Sequence, residues 1–525
     1  MEKRYPDRNV PFDMPPVLSH EPVVVNDSAT PAEGKLFQFD VNRTVIARSA
    51  INSLLVQLIV RMKGFITLPI YTYFLLPEEI GVFSLVVVTT GLLQPFFSLN
   101  MVDGPGIYFS QEKSPARIHT MYLTVVNSVL LSTLFCSALF MGFVLWTGRP
   151  ASSYLPWILL LLWANTFSKL AGFLFIIYQQ TGIVVRNTVQ RDAGITVISI
   201  LLVVLGYSYQ GLLFACIVAT AVTGWFMFRV VSREFPFSFS MDVAQAVKFL
   251  KTSLPLLPVF LFTWVIQSSD YYILSLFHGT GVVGKYGVVY SIASIVGSLT
   301  LALNFFWFPV SARMWIDDRR KYLALFRTIF STFILLLLTA VLLFEFNSRW
   351  IMTLLGRKPE YQDAYVIIGT IAFAYSMQVL ITLLTAPLYS NLNVRAIFLC
   401  YLVGGVINTI LNLLLIPGSG IVGAAISTAV SYLAVTVLLG YGNYRMALFP
   451  FFDRRLFAIL PLFLAGWAGS LAARGQVSLA GSLAIDLLFL SGIAFIAVHW
   501  FLRPGEMEIL RTMASEVQNR FRKAG

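Results

Sequence analysis

Long apolar runs dominate this chain, and short polar segments separate them. The runs extend for about 18 to 25 residues, which is the length of a helix that crosses a bilayer. The chain contains no series of ten-residue segments with alternating polarity, the pattern typical of membrane β-strands. The pattern therefore predicts an all-α fold, a polytopic integral membrane protein.

We predict about fourteen transmembrane helices from these runs. They cover 50–76, 80–99, 119–145, 154–178, 184–205, 211–231, 254–276, 283–310, 322–343, 365–388, 396–415, 421–439, 456–471 and 479–501. The fifth helix has a short apolar run, from Gly194 to Gly206, and must begin upstream to span the bilayer. This extension brings Arg191 and Arg186 into the helix or to its cytoplasmic end, where they either snorkel to headgroups or face a cavity.

Two pairs of segments indicate an internal repeat. PEEIGVFSLVVV, from Pro77, resembles GVVGKYGVVYSI, from Gly281, with Gly81 opposite Gly284. YQGLLFACIVAT resembles GSGIVGAAISTA, with Gly211 opposite Gly420. Because an even number of helices separates the copies, the repeats have the same orientation in the membrane. Parallel repeats of this kind occur in alternating-access transporters that bind substrate between two lobes.

The repeat and the apolar runs predict five regions. A disordered cytoplasmic tail covers 1–45, because it is rich in proline and polar residues and has no apolar segment typical of a cleavable signal. Helices one to six form an N-lobe (46–235), and helices seven to twelve form a C-lobe (236–445). Two further helices (446–502) and a cytoplasmic C-terminal tail (503–525) complete the chain.

Composition supports the membrane class and restricts the possible chemistry. Hydrophobic residues make up 57% of the chain and charged residues 12%, with a mean hydropathy of +0.78, which excludes an ordinary soluble fold. The three cysteines are isolated in apolar runs and the four histidines are scattered, so we expect no disulfide framework, metal site or cofactor. The net charge of +12 fits cytoplasmic loops that face anionic lipid, and we expect no nucleic-acid partner.

The distribution of Lys and Arg predicts the orientation. With both termini in the cytoplasm, 28 of the 37 basic residues lie on the cytoplasmic side. Outside loops contain six: Arg149, Lys285, Arg349, Arg357, Lys358 and Arg474. This asymmetry follows the positive-inside rule.

Asp270 is the most unusual residue of the seventh helix, which also carries Pro255 and Pro258 near its start. A carboxylate within a spanning helix is tolerated beside water or a cation, so we predict a functional role. It either binds a coupling proton or cation or holds a cavity cation in place. Beside a cation it stays ionised, whereas burial alone favours the protonated form and makes it a protonation switch. The prolines predict a bend where the helix lines a path.

Three cations and three asparagines are candidates for substrate binding. Arg61 and Lys63 lie on the first helix, and Lys169 lies in the middle of the fourth; ion pairing and snorkelling are the alternatives. The asparagines, Asn304, Asn408 and Asn412, either contact sugar or form hydrogen bonds between helices. The aromatic run at 305–308 either stacks on sugars or belongs to an interfacial belt.

Three stretches resemble the polysaccharide-transporter branch of the multidrug/oligosaccharidyl-lipid/polysaccharide (MOP) exporter superfamily. They are SLPLLPVFLFTWVIQSSDYYILSLFHGTGVVGKYGVVY, YFLLPEEIGVFSLV and INTILNLLLIPGSGIVGAAISTAVSYL. The resemblance extends over about 47–501. It implies a flippase of the bacterial inner membrane that moves undecaprenyl-diphosphate-linked oligosaccharide to the periplasmic leaflet, for exopolysaccharide or O-antigen (lipopolysaccharide) synthesis. It also implies membrane lipid, a polymerase and a chain-length regulator as partners.

Two other functions remain possible from the residues. A multidrug exporter of the same fold would favour acidic cavity residues that bind organic cations, and a membrane polysaccharide polymerase would need a large outside loop or a catalytic His/Asp arrangement. The chain has no Gly-rich phosphate loop or nucleophile elbow, so we expect a protein that is not an enzyme. An ion gradient is then the expected driving force.

Overall fold

The computed structural model describes residues 63–112, 114–148, 153–178, 180–317, 319–390, 394–445 and 463–469, with positions 461, 481, 485, 488 and 492. These residues form α-helices joined by short connections, without a β-strand in the described ranges. Within those ranges, nine helices are long and apolar enough to cross a membrane. The all-α polytopic fold is therefore confirmed, whereas the count of fourteen remains a prediction because 456–471 and 479–501 lie mostly outside the described residues.

The helices are numbered in chain order. The first half of the chain contains α1 (63–74), α2 (Pro77–Phe97), α3 (Gly106–Gln111), α4 (Pro115–Thr147), α5 (Leu155–Ile177), α6 (Thr181–Val204), α7 (Tyr209–Glu234) and α8 (Val243–Ser253). The second half contains α9 (Leu257–Asp317), α10 (Arg319–Phe346), α11 (Ser348–Leu355), α12 (Pro359–Gln362), α13 (Ile368–Ser390) and α14 (Val394–Arg445).

Glycines divide the two longest helices. α9 and α14 have 61 and 52 residues, and each contains one non-helical glycine, Gly279 with φ 81° and Gly420 with φ 53°. Glycine adopts positive φ readily because it has no Cβ atom. At a rise of about 1.5 Å per residue, each helix has the length of two crossings. Both breaks lie in the predicted connections between helices.

The structure tests two predictions about individual helices. α6 begins at Thr181 and contains both Arg186 and Arg191, so the predicted upstream extension of the fifth helix is confirmed. The prolines at 255 and 258 lie in a 3₁₀ turn (Leu254–Leu256) and at the second residue of α9, not within a bent span. Proline is tolerated in the first turn of a helix because the amide there has no intrahelical partner.

The helices pack into two groups that meet at α2 and α9. In one group α7 packs against α5 and α6; in the other α9, α13 and α14 pack against one another, and α10 joins α13. Many large apolar side chains on α4 point outward, among them Leu131, Phe135 and Trp146, which is 84% exposed. Such an apolar surface suits contact with lipid tails.

The contact between α2 and α9 is reciprocal. A Cβ atom on Gly81 would lie 1.9 Å from the Thr280 carbonyl oxygen, and one on Gly284 would lie 1.8 Å from the Pro77 carbonyl oxygen. Thr280 and Pro77 are related by the same repeat spacing as the two glycines. Each copy of the repeat therefore presents the same atoms to the other, as across a two-fold axis.

Hydrogen bonds close the same end of the helix assembly. The Thr72 hydroxyl donates to the Leu355 carbonyl at 2.5 Å, and the Tyr361 hydroxyl donates to the Leu75 carbonyl at 3.2 Å. Thus α1 is joined to α11 and α12 where α1 meets α2. We refer to this region, together with the α2–α9 contact, as the sealed end.

Candidate functional site

A cavity of about 620 Å³ lies between the two helix groups. It extends from Ile80 and Gly287, near the sealed end, to Lys63 and Ser294. Further lining residues come from α1, α2, α6, α7, α9 and α13: Gly64, Thr67, Leu68, Tyr71, Phe83, Ser84, Thr188, Arg191, Asp192, Leu212, Tyr271, Val288, Tyr290, Ser291 and Tyr375. We refer to it as the central cavity. Small-molecule sites commonly have volumes of about 300 to 1,000 Å³.

One face of α1 carries polar side chains into this cavity. Lys63, Thr67 and Tyr71 are four residues apart, so they lie above one another on the helix surface. The Tyr71 and Ser199 hydroxyls are 2.5 Å apart, and this contact joins α1 to α6. The pairing of α1 with α6 brings Lys63 next to Arg191.

Asp192 lies between these two cations. Lys63 Nζ donates a hydrogen bond to Asp192 Oδ1, and Arg191 Nη2 lies 3.5 Å from Asp192 Oδ2. The Lys63 and Arg191 side chains are 33% and 36% exposed, whereas that of Asp192 is 11% exposed. Asp192 Oδ2 is buried without a hydrogen-bond partner. The three residues place a net positive charge at the cavity wall, with the carboxylate occupying the position that another anion would need.

Asp270 lies behind the cavity wall, in the first half of α9. Its side chain is fully buried and accepts hydrogen bonds at Oδ2 from the Tyr286 hydroxyl and from Thr428 Oγ1, the latter at 3.2 Å. Its Oδ1 accepts from the Tyr271 amide at 3.0 Å. Within the described part of the chain, Asp270 forms no ion pair. Its polar partners are thus hydroxyl and amide groups.

Asn408 and Asn412 form a polar cluster next to Asp270. Both are fully buried on one face of α14. Asn412 Nδ2 donates to Asn408 Oδ1 at 3.0 Å, and Ser269 Oγ donates to the same oxygen at 3.0 Å. Asn408 Nδ2 and Asn412 Oδ1 have no hydrogen-bond partner. The cluster therefore retains free capacity for a polar ligand in a buried place.

Comparison with known families gives one match. Residues 46–315 match the model of the family described as polysaccharide biosynthesis protein. The chain belongs to this family. Sequence comparison with curated proteins gives no match.

Solved structures of MOP transporters share the fold of this polysaccharide biosynthesis protein. The lipid II flippase MurJ, in an inward closed conformation, aligns with a TM-score of 0.62 at 13% identity, over 87% of this chain and 99% of MurJ. A multidrug resistance MATE family transporter of the MOP superfamily, in an inward-facing conformation, aligns with a TM-score of 0.57 at 13% identity, over 76% and 98% of the two chains. The chain therefore shares the fold of these two transporters, and its long apolar helices are those of a multi-pass membrane protein.

Lys169, the remaining cation candidate among the described residues, lines neither cavity. Lys169 Nζ lies 3.7 Å from Asp103 Oδ2, and both side chains are about half exposed. Arg61 and the side chain of Asn304 lie outside the described residues. Trp307, in the aromatic run at 305–308, is fully buried and stacks on Tyr322, so its role is in core packing. A role in substrate binding stays a prediction for Arg61, Lys169 and Asn304.

Asp192 and the tyrosines of the cavity wall were not predicted as site residues from the sequence. Asp192 could have been predicted, because the upstream extension of α6 places this acidic residue within a membrane helix. An ionisable residue in such a position is a candidate for a functional role. Tyr271, Tyr290 and Tyr375 give no comparable signal. Tyrosines are common in apolar helices, and only the packing of α9 against α13 brings these three together.

Proposed function

We propose that this protein is a flippase that moves undecaprenyl-diphosphate-linked oligosaccharide repeat units across the bacterial inner membrane by alternating access. The supporting observation is the central cavity, which lies between the two helix groups and carries Lys63 and Arg191 on its wall. A diphosphate headgroup cannot cross hydrocarbon unaided, and paired cations recognise phosphate oxygens. The similar fold of MurJ, a lipid II flippase, agrees with a lipid-linked substrate.

The topology and the sealed end suggest the direction of access. With both termini in the cytoplasm, the junction of α1 and α2 faces the periplasm. The central cavity is then closed to the periplasm and is the compartment that receives substrate from the cytoplasmic side. Substrate release requires the α2–α9 contact to open.

We assign ion coupling to Asp270 and its neighbours. A buried carboxylate that lacks a cation partner among the described residues has two ways to reduce its desolvation cost, which are to bind a proton or to bind a small cation. Tyr286 and Thr428, the hydroxyl partners of Asp270, lie in the second half of α9 and in α14, so occupancy at Asp270 affects how these helices pack.

A multidrug exporter is the second candidate, because MATE transporters share the fold. The central cavity favours the flippase, since its wall carries two cations and one acidic residue. A substrate with a permanent positive charge would meet a net positive wall.

The test is a reconstituted translocation assay. The full-length protein is placed in proteoliposomes with fluorescent undecaprenyl-diphosphate-linked oligosaccharide, and a membrane-impermeant quencher reports which leaflet holds the lipid. We expect movement between leaflets that depends on the protein. Movement of a fluorescent organic cation without movement of the lipid would replace the flippase with the multidrug exporter.

A further inference from the structure

A second cavity, of about 310 Å³, lies beside the central cavity. Its wall comes from α9, α13 and α14, with Val88 as the contribution of α2. The two cavities share three lining residues, Tyr271, Tyr290 and Tyr375. A ligand whose charged part occupies the central cavity therefore has its next chemical group at this tyrosine boundary.

The wall of the second cavity combines apolar and aromatic surfaces with several hydrogen-bonding groups and carries no charged side chain. Four tyrosines line it, the three boundary residues and Tyr432. Hydrogen-bonding groups come from Gln267, Ser268, Thr300 and Gln378. Thr300 Oγ1 is buried and has no hydrogen-bond partner, so the cavity contains an unused hydroxyl.

The position of Tyr375 depends on the backbone of the facing helix. A Cβ atom on Gly297 would lie 2.5 Å from Tyr375 Cδ1, so a larger residue would displace the ring. The ring also packs edge-on against Tyr290, with centroids 5.7 Å apart. Glycine thus allows the aromatic wall to form at the boundary between the cavities.

We propose that this second cavity binds the first sugar of the lipid-linked substrate, and that the sugar is uncharged. This inference rests on the proposed flippase function. Tyrosine rings offer apolar faces to the C–H faces of a sugar, while amides and hydroxyls match its O–H groups. The bond between the diphosphate and the first sugar would lie at the tyrosine boundary, where the central cavity with its cations meets the uncharged second cavity.

Other parts of the substrate fit this wall less well. A polyprenyl tail has no hydrogen-bonding group, so it would offer no partner to the Thr300 hydroxyl or to the Gln378 amide. A diphosphate would find no Lys or Arg among the residues of this wall. An organic cation would gain contacts with the tyrosine faces but no acidic partner.

The test compares two lipids on the purified full-length protein in lipid nanodiscs. The probes are undecaprenyl diphosphate and the same lipid carrying one glucose. The wild type is expected to bind the glucose-bearing lipid about tenfold more tightly, a difference of ~1.4 kcal/mol. Gln378→Leu removes the amide at nearly constant volume and is expected to abolish this difference while the affinity for undecaprenyl diphosphate stays unchanged. Tyr375→Phe is expected to reduce the difference, because the ring remains and the hydroxyl is lost.

Gln94→Leu is the matched control, since Gln94 is a half-buried glutamine of α2 outside both cavities. It is expected to bind both lipids as the wild type does. An equal effect of Gln378→Leu on the two lipids, or no effect on either, overturns the sugar site and leaves the flippase intact. If the wild type binds neither lipid but binds tetraphenylphosphonium, the flippase itself fails. Unchanged affinity for undecaprenyl diphosphate also shows that a variant is folded.

Discussion

At the scale of residues, the charges divide into two sites with different surroundings. Lys63 and Arg191 are partly exposed at the central cavity, so their interaction with the mostly buried Asp192 is open to competition from a soluble or lipid-borne anion. Asp270 is fully buried among hydroxyl and amide groups. A partly exposed pair suits reversible substrate binding, whereas a buried acid suits binding of a proton or a small cation.

The pairing of Asp192 with Lys63 gives the first prediction. Asp192→Asn keeps the shape but removes the charge that competes with phosphate for the two cations. We expect the affinity for undecaprenyl diphosphate to rise about two- to fivefold, the range for a partly screened ion pair. Binding is measured on the full-length protein in nanodiscs at low salt and again at high salt, where the difference should shrink because exposed charges are screened.

Asp363→Asn is the control for this measurement, since it breaks the exposed Lys285–Asp363 ion pair outside both cavities. It should leave the affinity unchanged. A decrease in affinity for Asp192→Asn would mean that the carboxylate supports phosphate binding by holding Lys63 in position.

The second prediction concerns Asp270. Asp270→Asn retains hydrogen bonding but cannot bind a proton as a carboxylate does, and it offers no negative charge to a cation. We expect cells with this variant to accumulate lipid-linked oligosaccharide in the cytoplasmic leaflet and to lose surface polymer, with normal amounts of protein in the membrane. Wild-type polymer output would limit Asp270 to packing. Altered sensitivity to cationic drugs, with lipid-linked sugars unchanged, would support a multidrug exporter.

At the scale of elements, the close contact between α2 and α9 controls the sealed end. Two glycines allow each helix to approach a carbonyl oxygen of the other, and small residues serve this purpose in membrane helix pairs. Because α9 also carries Asp270 and the tyrosine boundary, a change in its contact with α2 reaches both sites. In the proposed function, the helix pair would connect access at one end with binding in the cavity.

A methyl group at this contact should disturb alternating access. Gly284→Ala would place a Cβ atom 1.8 Å from the Pro77 carbonyl oxygen, so the sealed state is disfavoured. Overpacking costs about 1 to 3 kcal/mol, which reduces the population of that state about 5- to 150-fold. We expect a corresponding loss of translocation in proteoliposomes with little change in protein level.

Gly91→Ala supplies the matched control, because Gly91 also lies in α2 and a Cβ atom there meets nothing within 4 Å. Alanine also has the higher helix propensity of the two residues. This variant should translocate lipid at the wild-type rate. Equal rates for Gly284→Ala and Gly91→Ala would show that the sealed end does not need the close helix contact.

At the scale of the whole molecule, the two helix groups carry different chemistry. The predicted repeat spacing places Thr67 of α1 opposite Asp270 of α9, so the predicted repeat does not duplicate this acid. The cations of the central cavity come from α1 and α6, whereas the tyrosine boundary comes from α9 and α13. This asymmetry suits a substrate with a diphosphate at one end of its headgroup and sugar at the other.

A disulfide across the sealed end should stop the cycle. A Cβ atom on Gly281 would lie 3.5 Å from Cγ of Glu78, the atom whose place a cysteine sulfur would take, so cysteine side chains at the two positions would be in contact. After replacement of Cys136, Cys216 and Cys400, the pair Glu78→Cys and Gly281→Cys should form a disulfide on oxidation. Translocation should then stop and recover on reduction. Each single variant should be insensitive to oxidation, and full activity of the oxidised pair would contradict movement at this end.

The orientation can be tested with reporter fusions. The excess of basic residues on one side predicts that fusions after Arg233 and after Met446 both report the cytoplasm. A periplasmic signal at either position would contradict two six-helix units in the same orientation. It would also reverse the side of the membrane to which the central cavity opens.

The sequence by itself determined the class, the helices and the most unusual residue. Apolar length is a local property, so most helices could be found within a few residues, and a lone acid in an apolar helix identified Asp270. Only the tertiary structure decided which charges meet, because a membrane helix is apolar on most faces and its sequence carries little information about its rotation. In the structure, Lys63 pairs with Asp192, whereas Lys169 pairs with Asp103 away from the central cavity. Tyr271, Tyr290 and Tyr375, from two helices, form one wall of this cavity.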